Sequence, residues 1–557
     1  MPLPLLERAT PDGLTFALTK RGGAGVALRE RHGERIPPSP VVPHVGGLLK
    51  PQIGEGGRMP HRAPGPGEQY RFHFDMKKCI GCKCCVVACN EQNGNPAAIN
   101  WRRVGEIEGG WFPNATRSYL SMGCNHCLEP TCLSGCPVDA YSKDPATGIV
   151  RHSADACIGC QYCTWNCSYG VPQYNADRGV VGKCDMCHGR LSLGQAPACV
   201  SACPEGAIAI EIVNIDEWRT AVVATDVPEP SRGITFAGLP IADGSLSTTR
   251  ITMPADLAPN TKPRDITHVR PEHPHWPLVV MTVLTQLSVG AFTTIWLLQL
   301  VGASSGLGVA AMASLLVGAL ALNASTLHLG RPVHAYRALR MWRRSWLSRE
   351  VLLFTSFSLV AGLYAALLWF GGGTPEGVPY VSDGVSGRLT TAVGALTVAL
   401  GIAGVTASAC IYRVPSRPAW NTRYTLLQFN LTGALLGPLF AMAVGVGDHQ
   451  WLAIAAATMA GAQFVLLAVR FLRCIASDSL ELKGTARLLS TVFAKHLVAR
   501  GVLLAAGAIV LPLIVAPPAL ALALAVGAEV LGRYLFFVSV VPTHMATPYV
   551  PVESEAA

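Results

Sequence analysis

Seventeen of the 19 cysteines in this chain of 557 residues lie between Cys79 and Cys203. All but Cys84 fall into four groups of four: CIGCKCCVVAC (Cys79, Cys82, Cys85, Cys89), CNHCLEPTCLSGC (Cys124, Cys127, Cys132, Cys136), CIGCQYCTWNC (Cys157, Cys160, Cys163, Cys167) and CDMCHGRLSLGQAPACVSAC (Cys184, Cys187, Cys199, Cys203). Disulfides would explain such density in a small secreted domain, but residues 1–70 show no apolar signal region and no Arg-Arg pair before an apolar stretch. A zinc ribbon needs only two CxxC pairs and would leave most of these thiols unused. Three thiolates in one tight turn can hold three irons of a cubane, and a fourth Cys three residues on ligates the other cluster of a pair. Two groups have the spacing C-x2-C-x2-C-x3-C, and the other two are stretched variants ending in Cys-Pro. The expectation is four [4Fe–4S] clusters on these sixteen cysteines. Cys84 falls off the spacing and reads as a neighbour, while Cys410 and Cys474 read as packing residues.

Around the cysteines the chain changes character. Residues 1–70 are rich in Pro and Gly and read as an extended arm, either wrapping a partner or forming a disordered leader. Residues 71–215 are the four-cluster domain. Within it VDAYSKDPATGIVRHSADACIGC predicts a short hairpin, and EGAIAIEIV alternates like a closing strand. Residues 216–275 read as a linker, and 542–557 as a C-terminal tail. Between them, residues 276–541 hold eight apolar windows near the ~20 residues that cross a bilayer: 277–302, 306–329, 351–371, 389–412, 425–446, 451–470, 500–516 and 518–541. A large apolar soluble core does not explain helices that are apolar all round in such a series.

The net charge of +9 raises nucleic acid as a partner, but the placement of charge argues otherwise. Loops after the second, fourth and sixth spans carry fifteen Lys and Arg, whereas loops after the odd spans carry Arg388 alone. Positive loops stay inside. The expectation is a multi-pass protein of the bacterial inner membrane, with the cluster domain and both termini on the cytoplasmic side. The arginine-rich stretch LHLGRPVHAYRALRMWRRSWLSRE, Leu327 to Glu350, then reads as a topology anchor. His328 and Glu350 bound it at the ends of the second and third spans, where ionisable groups are costly and tend to be functional.

The four cysteine groups, ending in KCDMC…PACVSACP, resemble the iron–sulfur subunit of dimethyl sulfoxide reductase-family molybdoenzymes. LHLGRP, SWLSRE, IYRVPSRPAWN and EVLGRYLFF resemble the eight-helix quinol-binding anchor subunit of the same family. The resemblance implies an α+β bis-ferredoxin-like iron–sulfur domain followed by an all-α eight-helix transmembrane bundle. It implies one cluster on Cys79, Cys82, Cys85 and Cys203, and a mate on Cys184, Cys187, Cys199 and Cys89. A second pair would take Cys124, Cys127, Cys132 and Cys167, and Cys157, Cys160, Cys163 and Cys136. Some members carry Trp where this chain has Cys160 and hold three irons there; Cys160 implies four. The resemblance also places His328 and Glu350 in the quinone site and makes the Cys124 set the cluster nearest the membrane. Arg349, Arg417, Glu529 and Arg533 are further quinone-site candidates, with Glu529 and Arg533 also a candidate ion pair.

No CxxCH or axial histidine pair points to haem, and no Gly-rich loop after a strand points to a nucleotide. The chain reads as a wire and anchor joining a molybdopterin-containing catalytic subunit to the membrane quinone pool. Its resemblance to cytoplasmic quinone-dependent sulfite dehydrogenases implies sulfite oxidation. Two alternatives are a quinol-oxidising wire for an S-oxide or other terminal reductase, and a membrane-bound iron–sulfur redox sensor or assembly factor. A sensor has no use for eight spans with a His/Glu pair.

Overall fold

The computed structural model describes residues 58–224, 245–254, 257–258, 260–266, 268–303, 305–371, 385–514 and 517–546. Most of the expected N-terminal arm and the end of the C-terminal tail lie outside these residues. The cluster domain begins at β1 (Glu68–Asp75), whose inward Phe72 and Phe74 alternate with more accessible neighbours and anchor the core. It continues through α1 (Cys84–Asn93), β2 (Arg103–Gly109), β3 (Thr116–Met122), α2 (Thr131–Gly135), β4 (Tyr141–Lys143), β5 (Val150–His152), α3 (Tyr162–Asn166), β6 (Gln173–Asn175), β7 (Val180–Gly182), α4 (His188–Leu191), α5 (Ala198–Ser201) and β8 (Ile208–Asn214). The predicted hairpin is β4–β5, and the predicted closing strand is β8, antiparallel to β1 with Glu68 opposite Asn214.

The expected linker 216–275 is partly built into this domain. After α6 (Ile215–Ala224), β9 (Arg250–Thr252) pairs with β1 and β10 (Lys262–Pro263) pairs with β2, giving sheets ordered β8-β1-β9 and β10-β2-β3. Trp218 and the buried Ser247, Thr248 and Thr249 explain why: Trp218 Nε1 donates to the Ser247 carbonyl at 2.9 Å, and Thr249 donates to Asn125 at 2.7 Å. Polar composition made the segment look solvated, but its hydroxyls donate to buried carbonyl and amide oxygens.

Among the described residues, eight helices are long and apolar enough to cross a membrane: α7 (Trp276–Leu300), α8 (Leu307–Thr326), α9 (Trp346–Phe370), α10 (Gly387–Ile411), α11 (Arg423–Val444), α12 (His449–Ala476), α14 (Ala494–Leu513) and α15 (Pro518–Val538), with α13 (Leu480–Ser490) between the sixth and seventh. This is an integral membrane protein. Helix α7 is central. Its Gly290 meets Gly433 and Gly437 of α11 so closely that a Cβ on Gly290 would lie 2.0 Å from the Gly433 carbonyl oxygen. Small residues spaced in this way let helices approach where no hydrophobic force separates protein from lipid. Two boundaries differ from the sequence expectation: α8 ends before His328, and α9 starts at Trp346, placing Glu350 in its second turn. Arg470 and Arg500, counted above as loop charges, also lie inside α12 and α14.

Candidate metal centres and the membrane junction

The CxxC turns share a backbone device. Lys83, His126, Gln161 and Met186 all have left-handed φ, between 42° and 62°, a conformation that costs non-glycine residues energy and collects at functional sites. These turns aim N–H groups at sulfur: Gly159 N lies 3.4 Å from Cys157 Sγ, and Met186 N lies 3.4 Å from Cys184 Sγ. Ala140 N and Ala207 N approach Cys136 Sγ and Cys203 Sγ at 3.3 and 3.2 Å. Such nests of N–H groups favour negative charge at the sulfurs.

Four sets of thiols are brought together. Cys79 interacts with Cys82, Cys85 and Cys203; Cys89 with Cys184, Cys187 and Cys199. Cys132 interacts with Cys124, Cys127 and Cys167; Cys163 with Cys136, Cys157 and Cys160. Burial pushes the Cys160 and Cys187 thiols up to about 12 and raises Cys79, Cys85, Cys124, Cys136, Cys167, Cys184 and Cys199 as well, with neighbouring sulfurs adding to the effect at Cys160 and Cys187. No disulfide relieves them among the described residues. Pockets holding ≈ 320 and ≈ 330 Å³ of empty space sit against the Cys79 and Cys124 sets. Crowded, buried sulfurs aimed at by N–H groups are a donor set that suits iron, which would supply the missing positive charge and hold the thiolates deprotonated.

Two buried cations stand between sets, and sequence reasoning missed both. Arg102 lies within electrostatic reach of Cys85, Cys89, Cys184 and Cys199, and its guanidinium stacks 4.6 Å from the Phe72 ring. Lys183 reaches Cys124, Cys132 and Cys184, donating to the Cys184 carbonyl at 2.8 Å and to the Val150 carbonyl. Lys183 directly precedes a ligand-spaced Cys, which was the available signal; Arg102 had none.

The expectation that the Cys124 set is nearest the membrane is corrected. Cys160 packs against the membrane-helix core with Tyr162 and Trp165, so the terminal set is that of Cys136, Cys157, Cys160 and Cys163. The arginine-rich stretch is a dock as well as a charge run. Arg331 N donates to the Ile158 carbonyl at 3.1 Å, Arg331 Nη1 to Ala154 at 2.8 Å and Arg337 Nη1 to Asp155 at 3.0 Å, while Arg344 pairs with Asp139. Ser345 Oγ donates to the Gly135 carbonyl at 2.6 Å.

His328 and Glu350 have different neighbours, and Glu350 connects through Tyr162 to the Cys160 turn. His328 is half-buried, and burial lowers its imidazole to about 4, leaving it neutral; its Nδ1 is enclosed without a partner, and His275 lies near. Glu350 is buried, accepts a hydrogen bond from Ser408, and neighbours Tyr162 and Tyr412. Tyr162 in turn neighbours Cys160. Arg349 points elsewhere, donating to the Trp342 and Arg343 carbonyls at 3.0 and 2.7 Å and so tightening the loop. Arg417 pairs with Glu272 at 3.2 Å beside a large groove that Cys167, Trp165 and His275 also line. Glu529 and Arg533 do not form the expected ion pair. Glu529 Oε2 accepts from Thr432 at 2.6 Å, while Arg533 Nη2 donates to Gln286 at 2.9 Å. One turn apart on a helix, each carries its charged end to a different neighbouring helix.

Residues 115–212 match a family described as a 4Fe-4S dicluster domain, and residues 271–538 match the DMSO reductase anchor subunit (DmsC). A component of the anaerobic dimethyl sulfoxide reductase of Haemophilus influenzae is 40% identical over 183 residues, which are 31% of this chain and 88% of the relative. The chain belongs to the dimethyl sulfoxide reductase family, with iron–sulfur and anchor subunits fused. A component of the sulfite dehydrogenase of Allochromatium vinosum is 36% identical over 160 residues, covering 25% of this chain and 67% of that protein. The nitrate-inducible formate dehydrogenase iron–sulfur subunit of Escherichia coli is 36% identical over 190 residues, covering 30% of this chain and 61% of that protein. As a member of this family, the chain is an electron-transfer protein that carries iron–sulfur clusters and its own membrane anchor.

Proposed function

We propose that this chain conducts electrons through four [4Fe–4S] clusters between a molybdopterin-containing catalytic subunit and membrane quinone. The observation that carries the reading is the sorting of sixteen thiols into four neighbouring sets that end against the membrane bundle. The sets would lie in the order Cys79, Cys89, Cys124, Cys136, because Arg102 bridges the first two, Lys183 the middle two, and Tyr141 interacts with both Cys132 and Cys163. The clusters supply the one-electron chemistry when bound. The protein's part is to hold them in line, tune them with two buried cations and exclude water.

Quinone would be reduced or oxidised beside the Cys136 set, with His328 and Glu350 exchanging the protons that accompany two electrons. A neutral imidazole with an enclosed, unpartnered Nδ1 and a buried carboxyl group beside Tyr162 suit that exchange. Glu529, Arg533 and Arg417 would stand outside this contact, and Arg349 would serve the loop. The charge asymmetry of the loops supports a bacterial inner-membrane protein with its cluster domain and termini in the cytoplasm. That placement and the sulfite dehydrogenase relative support sulfite oxidation with quinone reduction. The higher identity to the dimethyl sulfoxide reductase relative favours the opposite direction, quinol oxidation for a terminal reductase. Isolating the complex and assaying sulfite-dependent quinone reduction against S-oxide-dependent quinol oxidation decides between them. In either direction His328→Ala or Glu350→Gln should slow quinone-linked turnover by ~10²–10⁴, leaving turnover with a dye that meets the clusters directly intact. Unchanged quinone turnover in both variants would remove the pair from the site.

A further inference from the structure

Three arginines lie inside the second half of the membrane bundle, near its cluster-domain end, and each is met by a neutral amide. Arg470 donates to Gln428 Oε1 and to the Ala419 carbonyl, the latter at 3.4 Å. Arg500 Nη2 donates to Gln463 Oε1 at 3.3 Å. Arg533 Nη2 donates to Gln286 Oε1 at 2.9 Å, with its guanidinium 3.6 Å over the Phe429 ring. The three lie within electrostatic reach of one another. Glu529 is the carboxylate that accompanies them; one of its oxygens accepts from Thr432 and the other is unpartnered. Three positive charges therefore meet a single carboxylate, leaving an excess of positive charge at a depth where lone charges are costly.

Unused donors remain on these side chains, and one of them, on Arg500, belongs to a residue that lines a pocket. Nε of Arg500, Nε and Nη1 of Arg533 and Nε2 of Gln463 are buried without partners, and Arg500 is only 5% exposed. Arg470, Arg500 and Thr485 line ≈ 550 Å³ of empty space walled by Trp420, Phe471 and Phe536. Gly532 makes room for Arg500: a Cβ there would lie 2.5 Å from its Nε and 2.7 Å from its Cζ. The same helices present exposed Val465, Val469, Val498 and Val502 toward the surroundings, where acyl chains would run. A planar guanidinium matches phosphate oxygens in pairs, and a tetrahedral anion would satisfy Arg470 and Arg500 together.

We propose that Arg470 and Arg500 bind a phosphate-class anion in this pocket, carried on a phospholipid headgroup or free in solution. The site is independent of the quinone reading and is tested without quinone. Full-length protein, stripped of lipid in detergent, is titrated with phosphatidylglycerol, with inorganic phosphate, and with a diacylglycerol lacking phosphate, reading melting temperature and native mass. A saturable upward shift with phosphatidylglycerol, silent for diacylglycerol and weakened ~10–100-fold by Arg500→Gln, assigns a lipid headgroup. The same Arg500-dependent shift with inorganic phosphate assigns a free anion. If Arg500→Gln does not accumulate, Gly532→Ala displaces the guanidinium while keeping its charge, and should weaken binding likewise. The proposal is overturned if no phosphate probe shifts the wild-type protein, or if the variant that accumulates binds as tightly as wild type.

Discussion

Gly330 is a point where the membrane loop meets the cluster domain backbone to backbone, and replacing it by alanine should uncouple the two. A Cβ on Gly330 would lie 2.1 Å from the Gly179 carbonyl oxygen and 2.5 Å from its carbon. From the other side, a Cβ on Gly159 would lie 2.4 Å from the same oxygen and 2.8 Å from Gly330 N. All of these neighbours are backbone, so no side chain can rotate away. The loops would have to part by roughly 1 Å, a strain of the kind that costs ~1–3 kcal/mol in packed interiors. The parting also stretches the bonds from Gly330 N to Gly159 and from Arg331 N to Ile158. Such a penalty lowers the docked population ~5–150-fold relative to undocked forms. In the displaced form the domain would stay tethered, because Arg331, Arg337 and Ser345 hold separate carbonyls while the Gly159–Gly330 seat opens. Gly330→Ala should therefore keep its full iron content and dye-linked turnover while quinone-linked turnover falls within that range. Gly362→Ala, where a Cβ meets nothing within 4 Å, is the control and should behave as wild type. Wild-type quinone turnover in Gly330→Ala would refute the claim that this junction delivers the electrons.

Four other outcomes are expected. Removing a buried cation beside the sulfurs makes reduction harder, so Arg102→Met and Lys183→Met should each lower a neighbouring cluster's potential by ~50–100 mV, for one charge at ~7 Å and an effective dielectric of ~20; redox-titrated EPR with unmoved signals would contradict this. Cys160→Ser should alter one EPR signal of four and quench electron transfer to quinone, since Cys160 belongs to the set against the membrane; loss of all four signals would contradict separate ligand sets. His328 and His275 are held neutral by burial, each to about 4 from 6.5. Between those values the unfolded chain binds protons that the native state refuses, so stability should fall as pH drops from 6.5 toward 4; melting curves in which His275→Gln shows the same acid slope as wild type would exclude that residue as a cause. Reporter fusions inside 332–344 should report the cytoplasm and fusions at Gly447 the opposite side, and the reverse pattern would overturn the inside placement of the clusters.

The sequence was most legible where chemistry repeats and least where contacts are distant. Cysteine spacing alone fixes which thiols share a turn. The spacing says that a fourth Cys serves another set but not which one: that Cys203 sits with the first group and Cys89 with the last depends on β1 and β8 closing the domain. Eight spans were readable because bilayer thickness sets a length, yet their ends were not, because Trp346 and Arg349 belong equally to a loop and to a helix start. The linker was misread for a physical reason: Ser247, Thr248 and Thr249 look solvated until their buried partners Asn125 and His126 are known. The arginine-rich stretch shows the limit most clearly. Charge counting explains why arginines are there at all, but not why Arg331 and Arg337 are arginines and not lysines. Each reaches a backbone carbonyl on the approach to the Cys157 turn, Ala154 or Asp155, through a guanidinium Nη1, at 2.8 and 3.0 Å. Lysine would keep the inside charge but has one compact donor head in place of a rigid fork. Topology and docking are therefore separable in this stretch: Arg331→Lys with Arg337→Lys should leave reporter orientation unchanged and weaken only the seating of the cluster domain.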